Sequence, residues 1–135
     1  MIKVKNLVKH YGDVKAVNNI DFTINDGEIV GFLGANGAGK STALKILTGY
    51  IAPTSGDVFI NGLNINTQSI EIRKLIGYLP ESNPLYLDMS VFALLKFIAN
   101  IRGINGNDFK NASDKVIEQC GLRGVVHKKI GACSK

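Results

Sequence analysis

The stretch Gly34-Ala35-Asn36-Gly37-Ala38-Gly39-Lys40-Ser41-Thr42 constrains this chain more than any other. It fits G-x-x-x-x-G-K-[ST], a loop whose backbone amides close around the phosphates of a nucleotide. Glycine is required because side chains would hold the backbone away from the phosphates, and because several turns of such a loop favour positive φ. The motif also dictates its neighbours, a strand before it and a helix after it. Glu28-Ile29-Val30-Gly31-Phe32-Leu33 is a short apolar run that predicts a buried parallel strand, and Ser41 to Leu47 predicts a helix. That helix would aim its free amides and positive dipole end at the anion. Lys40 would then reach the β- and γ-phosphates, Ser41 would ligate Mg²⁺, and Thr42 would meet the α-phosphate, so the expected ligand is ATP with Mg²⁺.

Composition narrows the partners. At 135 residues with 45% hydrophobic and 20% charged content, the chain has material for one globular domain. Its net charge of +5 would suit an anionic ligand, but the 16 lysines and arginines are scattered, so they read as solvated surface and no nucleic acid is expected. Cys120 and Cys133 show no C-x-x-C spacing and read as reduced thiols. The opening Met1-Ile2-Lys3-Val4-Lys5 has no apolar signal core, and no run approaches a membrane span.

Along the chain, Ile2 to Leu7 alternates as a half-exposed strand, Lys9 to Asp13 reads as a turn, and Ala16 to Ile24 resumes an extended pattern. The Asn25-Asp26-Gly27 turn predicts a hairpin between that second strand and the run entering the loop. After the loop helix, Asp57 to Ile60 reads as a strand ending in an Asn61-Gly62 hairpin turn, and Ile65 to Lys74 as a loop with one helical turn. Leu75-Ile76-Gly77-Tyr78-Leu79 predicts a buried strand stopped by Pro80. Helices are expected from Ser90, as N-cap, to Ile101 and from Asp108 to Cys120, closed by Gly103 and Gly121. Two residues carry alternatives on the residues alone. Tyr11 is either a half-buried surface aromatic or a stacking platform for a purine. Glu81, at the carboxyl end of an expected strand, is either a solvated loop acid or a ligand of Mg²⁺ or water.

Taken together these residues resemble the ATP-binding subunits of ABC transporters, along the whole chain. The carriers are Val4-Lys5-Asn6-Leu7, Tyr11-Gly12, Ala16-Val17-Asn18-Asn19-Ile20-Asp21-Phe22, the Walker A loop, Pro53-Thr54-Ser55-Gly56-Asp57-Val58 and Ile76-Gly77-Tyr78-Leu79-Pro80-Glu81. The resemblance implies an α/β P-loop fold of the ABC ATPase type: an antiparallel β-subdomain and Walker A core over 1–80, then a Q-loop and helical subdomain over 81–135. It implies that Tyr11 stacks on adenine as the A-loop aromatic, that Val17 packs near the base or ribose, and that Gly34, Asn36, Gly37, Ala38, Gly39, Lys40, Ser41 and Thr42 hold the phosphates. Leu79-Pro80-Glu81 resembles the Q-loop, with Glu81 in place of the usual glutamine, a carboxylate able to ligate the metal and seen in ABC-2 type exporters. Lys40 and Glu81 are the implied catalytic groups. Ile130 to Lys135 resembles the lead-in to the signature motif, so Walker B, the catalytic glutamate and the switch histidine are expected beyond the last residue, and the 135 residues alone are expected to bind nucleotide without turning it over. Implied partners are a transmembrane permease subunit and a second ATP-binding subunit, most simply a homodimer. The implied place is cytoplasmic, peripheral on the inner face of the cell membrane. The readings set against this are a non-transport ABC-type ATPase of translation or DNA repair, and a P-loop remnant that holds no nucleotide.

Overall fold

The computed structural model describes residues 1–81 and 84–133, in two compact units, Met1–Leu79 and Pro80–Lys135. The first is built on two long strands, β1 (Ile2–Tyr11) and β2 (Val14–Ile24), followed by helix α1 (Lys40–Leu47), strands β3 (Ser55–Ile60) and β4 (Leu63–Asn64), and helix α2 (Ser69–Leu75). The strands form one antiparallel sheet in the order β2-β1-β3-β4. One hairpin turns at Gly12-Asp13 and another at Asn61-Gly62, the latter where the Asn-Gly signal predicts it.

In β1 the two fully buried side chains are Val4 and Leu7, three residues apart. A regular strand alternates faces every residue and could not bury both on one side. The register shifts between them against both neighbouring strands, and Asn6, at φ +47°, supplies the extra residue. Asn19 mirrors it on β2 at φ +51°, and the Asn6 amide side chain donates to the Asn19 side-chain oxygen at 3.3 Å. Asparagine tolerates this left-handed backbone better than other side chains. Gly56 of β3 faces the bulge so closely that a Cβ there would lie 2.2 Å from the Asn6 carbonyl oxygen. Val4, Leu7, Val17, Val58 and Ile60 give the sheet an apolar face, onto which Ala43, Ile46 and Leu47 of α1 and Ile72 of α2 pack. The spacing 43, 46, 47 is one stripe of a helix.

Two expected strands do not form. Glu28–Leu33 pairs with no strand among the described residues; Ile29 and Leu33 are exposed, and Phe32 meets Phe22, with ring centroids 5.9 Å apart. The hairpin expected at Asn25-Asp26-Gly27 is therefore replaced by one between β1 and β2, and the expected turn at Lys9 to Asp13 shrinks because β1 runs on to Tyr11. Leu75 ends α2 instead of beginning a strand, and Tyr78 and Leu79 are exposed. An apolar run becomes a strand only where a neighbouring backbone accepts its hydrogen bonds. α2 spans seven residues, where one turn was expected.

The second unit holds helices α3 (Val91–Ile101) and α4 (Gly106–Gln119) and a 3₁₀ turn over Ile130–Ala132. Ser90 caps α3, its hydroxyl accepting from the Ala93 amide at 3.1 Å. α4 begins two residues before the expected cap at Asp108, with Asn105 at the N-cap, and Cys120, just past its end, is exposed. The segment after α4 runs back along the start of α3: the Val91 amide donates to the Lys128 carbonyl at 3.2 Å, and the Ile130 amide to the Met89 carbonyl at 2.9 Å. α3 is apolar around most of its circumference, yet only Ala99 is buried, leaving Phe97, Ile98 and Ile101 open. No helix among the described residues is long and apolar enough to cross a membrane.

Candidate functional site

The loop from Gly34 to Ala38 is exposed, while Gly39 and Lys40, which opens α1, are half-buried. Its ammonium donates to the Gly34 carbonyl at 2.6 Å and the Ala35 carbonyl at 2.7 Å, so the side chain curls back across the loop that precedes it. An ammonium has three donors, and this geometry leaves one N–H and the full charge for an incoming anion. The loop is further tightened by a turn in which the Ala38 amide donates to the Ala35 carbonyl at 3.1 Å.

Gly39 is the N-cap of α1, at φ +86° and with no side chain to cap the helix. Among the described residues the amides of Lys40, Ser41 and Thr42 find no acceptor, and the first turn carries no acidic residue. Those are the groups that a phosphate would satisfy at a helix N-terminus. A Cβ at residue 39 would lie 1.9 Å from the Ala16 carbonyl oxygen and 3.4 Å from Val17 Cγ2. The loop thus leans directly on β2, a contact the motif itself does not foretell. Val17 is 5% exposed and belongs to the core, so its side chain backs Gly39 from beneath.

Tyr11 closes β1 opposite Val14, at the sheet end from which β2 leads to Ala16 and the loop. Half of its surface is open. Three contacts tie this strand end to the Ala52–Thr54 loop: Lys9 Nζ to the Ala52 carbonyl at 2.8 Å, the His10 amide to Thr54 Oγ1 at 3.0 Å, and the Thr54 amide to the Val8 carbonyl at 2.9 Å. The same Lys9 ammonium lies 5.3 Å from the centre of the Tyr11 ring. The sequence does not show these contacts, because the partners lie more than 40 positions apart.

Ser41 is exposed on the first turn of α1, free to offer its hydroxyl. No group of three or more His, Cys, Asp or Glu that could hold a metal exists among the described residues. A hydroxyl ligand without a protein carboxylate cage fits Mg²⁺ that arrives on nucleotide phosphates and keeps most of its waters, and does not fit a resident structural metal. Glu81 is exposed at a bend in the second unit. Ser134 and Lys135, the end of the signature-like stretch, lie outside the described residues, as do Ser82 and Asn83.

A glycine loop that folds a lysine inward and opens an uncapped helix is a P-loop, and its chain is a nucleotide-phosphate binder by class. The profile of the ABC transporter family matches residues 17–135, and the chain belongs to that family. It is 39% identical over 134 residues to the bacitracin transport ATP-binding protein BcrA of Bacillus licheniformis, covering 99% of this chain and 43% of that one. It is 38% identical over 134 residues to an uncharacterized ABC transporter ATP-binding protein of Methanocaldococcus jannaschii, covering 99% and 47%. The solved structure of cbiO1 from Clostridium perfringens, part of the ABC transporter complex cbiONQ, superposes with a TM-score of 0.84 at 26% identity, covering 98% of this chain and 55% of that one. The fold is that of the P-loop ABC ATPases. The chain spans less than half the length of these curated relatives.

Proposed function

We propose that this chain binds MgATP on the Gly34–Thr42 loop and forms the nucleotide-binding part of an ABC transporter's ATP-binding subunit. The observation that carries the proposal is the Lys40 ammonium, held by the Gly34 and Ala35 carbonyls in front of the uncapped start of α1. Lys40 neutralises the β- and γ-phosphates; the loop amides, including those of Asn36, Gly37, Ala38 and Gly39, and the Ser41 and Thr42 amides wrap them. Tyr11 stacks on the base, and Val17 acts from behind Gly39. When bound, Mg²⁺ offsets phosphate charge, with the Ser41 hydroxyl as one ligand. For Glu81 the proposal of a metal-directed carboxylate rests on the Leu79-Pro80-Glu81 resemblance alone.

In the whole subunit, nucleotide binding and phosphoryl transfer to water would be coupled to a membrane-embedded permease, with a second ATP-binding subunit as partner and a peripheral, cytoplasmic location. Relatives named as transport ATP-binding proteins support that reading, as does a structural neighbour described as part of a transporter complex. For the 135 residues we propose binding without turnover. Melting curves with and without MgATP test it. A ligand present at a hundred times its Kd stabilises by about 2.7 kcal/mol, and Lys40→Ala should erase that gain. No shift in the unsubstituted chain, or an equal shift in Lys40→Ala, would overturn the proposal; steady phosphate release abolished by Lys40→Ala would overturn the absence of turnover.

A further inference from the structure

Lys9 is committed in two directions at once. Its ammonium donates to the Ala52 carbonyl at 2.8 Å and sits 5.3 Å from the centre of the Tyr11 ring. That second distance is within the range where a cation is attracted to an aromatic face. The stem is half-buried in β1, paired across the ladder with Val17, the residue behind Gly39. Tyr11 itself lies at the strand's end with half of its surface exposed and no hydrogen bond of its ring among the described residues. The Lys9 ammonium is thus held over the Tyr11 ring by its bond to the Ala52 carbonyl, while half of the tyrosine's surface stays open for a ligand.

We infer that Lys9 is a positioning residue for the nucleotide base: it fixes the Tyr11 ring from behind so that the opposite face is presented to a purine. This rests on the reading of Tyr11 as the base-stacking residue. The physical reason is preorganisation. An exposed aromatic side chain that samples several rotamers must be ordered when a base stacks on it, which weakens binding, whereas a ring already held by a tethered cation has lost that freedom beforehand. Lys9 is not a phosphate ligand in this account, because the Ala52 carbonyl and the Tyr11 face hold its ammonium.

The test separates base from phosphate. Binding of MgATP and of magnesium tripolyphosphate is measured by calorimetry on the 135-residue chain, with melting temperatures recorded for every variant. Lys9→Met keeps the apolar stem and removes the charge. It should weaken MgATP about threefold to tenfold, leave tripolyphosphate unchanged, and have no further effect in a Tyr11→Leu background. Lys9→Arg, which can reach both the carbonyl and the ring face, should retain the affinity for MgATP. If Lys9→Met melts too low to assay, Lys9→Gln, which keeps a donor for Ala52 but no charge, is read in the same way. Equal losses for both ligands, or unchanged MgATP binding, would overturn the inference while leaving the stacking role of Tyr11 standing. A chain that binds tripolyphosphate as tightly as MgATP before any substitution would remove the stacking reading itself, and the role of Lys9 with it.

Discussion

Gly39 and Gly37 offer a matched pair of substitutions. Both glycines adopt left-handed backbone, at φ +86° and +83°. An alanine at either position carries the same conformational cost, roughly 1–2 kcal/mol for an L-residue in that region. They differ in space: nothing lies within 4 Å of a Cβ at 37, whereas a Cβ at 39 would stand 1.9 Å from the Ala16 carbonyl oxygen. That is about 1 Å inside the closest approach real side chains tolerate, and the obstacle is backbone, which cannot swing aside. Relief requires β2 to retreat at Ala16, between Lys15 and Val17, which pair with His10 and Lys9 of β1. Losing one or two ladder hydrogen bonds costs about 1 kcal/mol each. Gly39→Ala should therefore destabilise the chain by about 3 kcal/mol, against about 1–2 kcal/mol for Gly37→Ala. Urea unfolding followed by far-UV circular dichroism resolves that difference, and the melting temperature should fall by at least about 10 °C for Gly39→Ala. Equal effects of the two substitutions would show that the loop does not lean on β2, and the backing role assigned to Val17 would go with it.

Two further outcomes are local. Ser90→Ala removes the hydroxyl that accepts from the Ala93 amide, and should cost the second unit about 1 kcal/mol, seen as earlier loss of helical ellipticity; Ser90→Asp, which can cap in the same way, should not. Glu28 accepts from the Asn25 side chain at 3.0 Å and from the Asn25 amide at 2.7 Å, and these bonds, the side-chain one foremost, hold its carboxyl below the ordinary glutamate range. Because the folded value is the lower one, the stabilisation is complete above the ordinary range and fades as the pH falls through the folded value. Glu28→Gln should thus melt lower than the unsubstituted chain at neutral pH, with the gap closing in acid; a gap independent of pH would refute the assignment.

The phosphate loop is legible because its chemistry is local: four fixed residues in a span of eight dictate a glycine turn, a lysine beside it and a helix start, and α1 begins at Lys40 with its stripe at 43, 46 and 47. Turn signals at Asn61-Gly62 and the cap at Ser90 were legible for the same reason. What escaped is nonlocal. Asn6 looks like any polar position of an alternating strand, and only its partners, Asn19 and the carbonyl contact with Gly56, show that it adds a residue to the ladder. Glu28–Leu33 and Leu75–Leu79 read as strands in the sequence because hydrophobicity reports what a segment gains by burial, and not whether a neighbouring strand is there to take it. The place of Lys9 is not legible in the sequence, since neither the Ala52 carbonyl nor the face of Tyr11 can be read from its own position.

The exposed run from Ile29 to Leu33 also governs how the protein behaves in a tube. Its side chains are apolar, its backbone pairs with no strand among the described residues, and Asp26 and Glu28 precede it without interrupting it. An exposed apolar segment with unpaired backbone groups invites pairing with another chain, and a net charge of +5 spread over scattered lysines supplies only diffuse repulsion against it. These five residues next to the phosphate loop therefore weigh on the colloidal stability of the chain in a way its overall composition does not reveal, and the segment that leads into the nucleotide site also lowers the concentration at which the protein stays in solution.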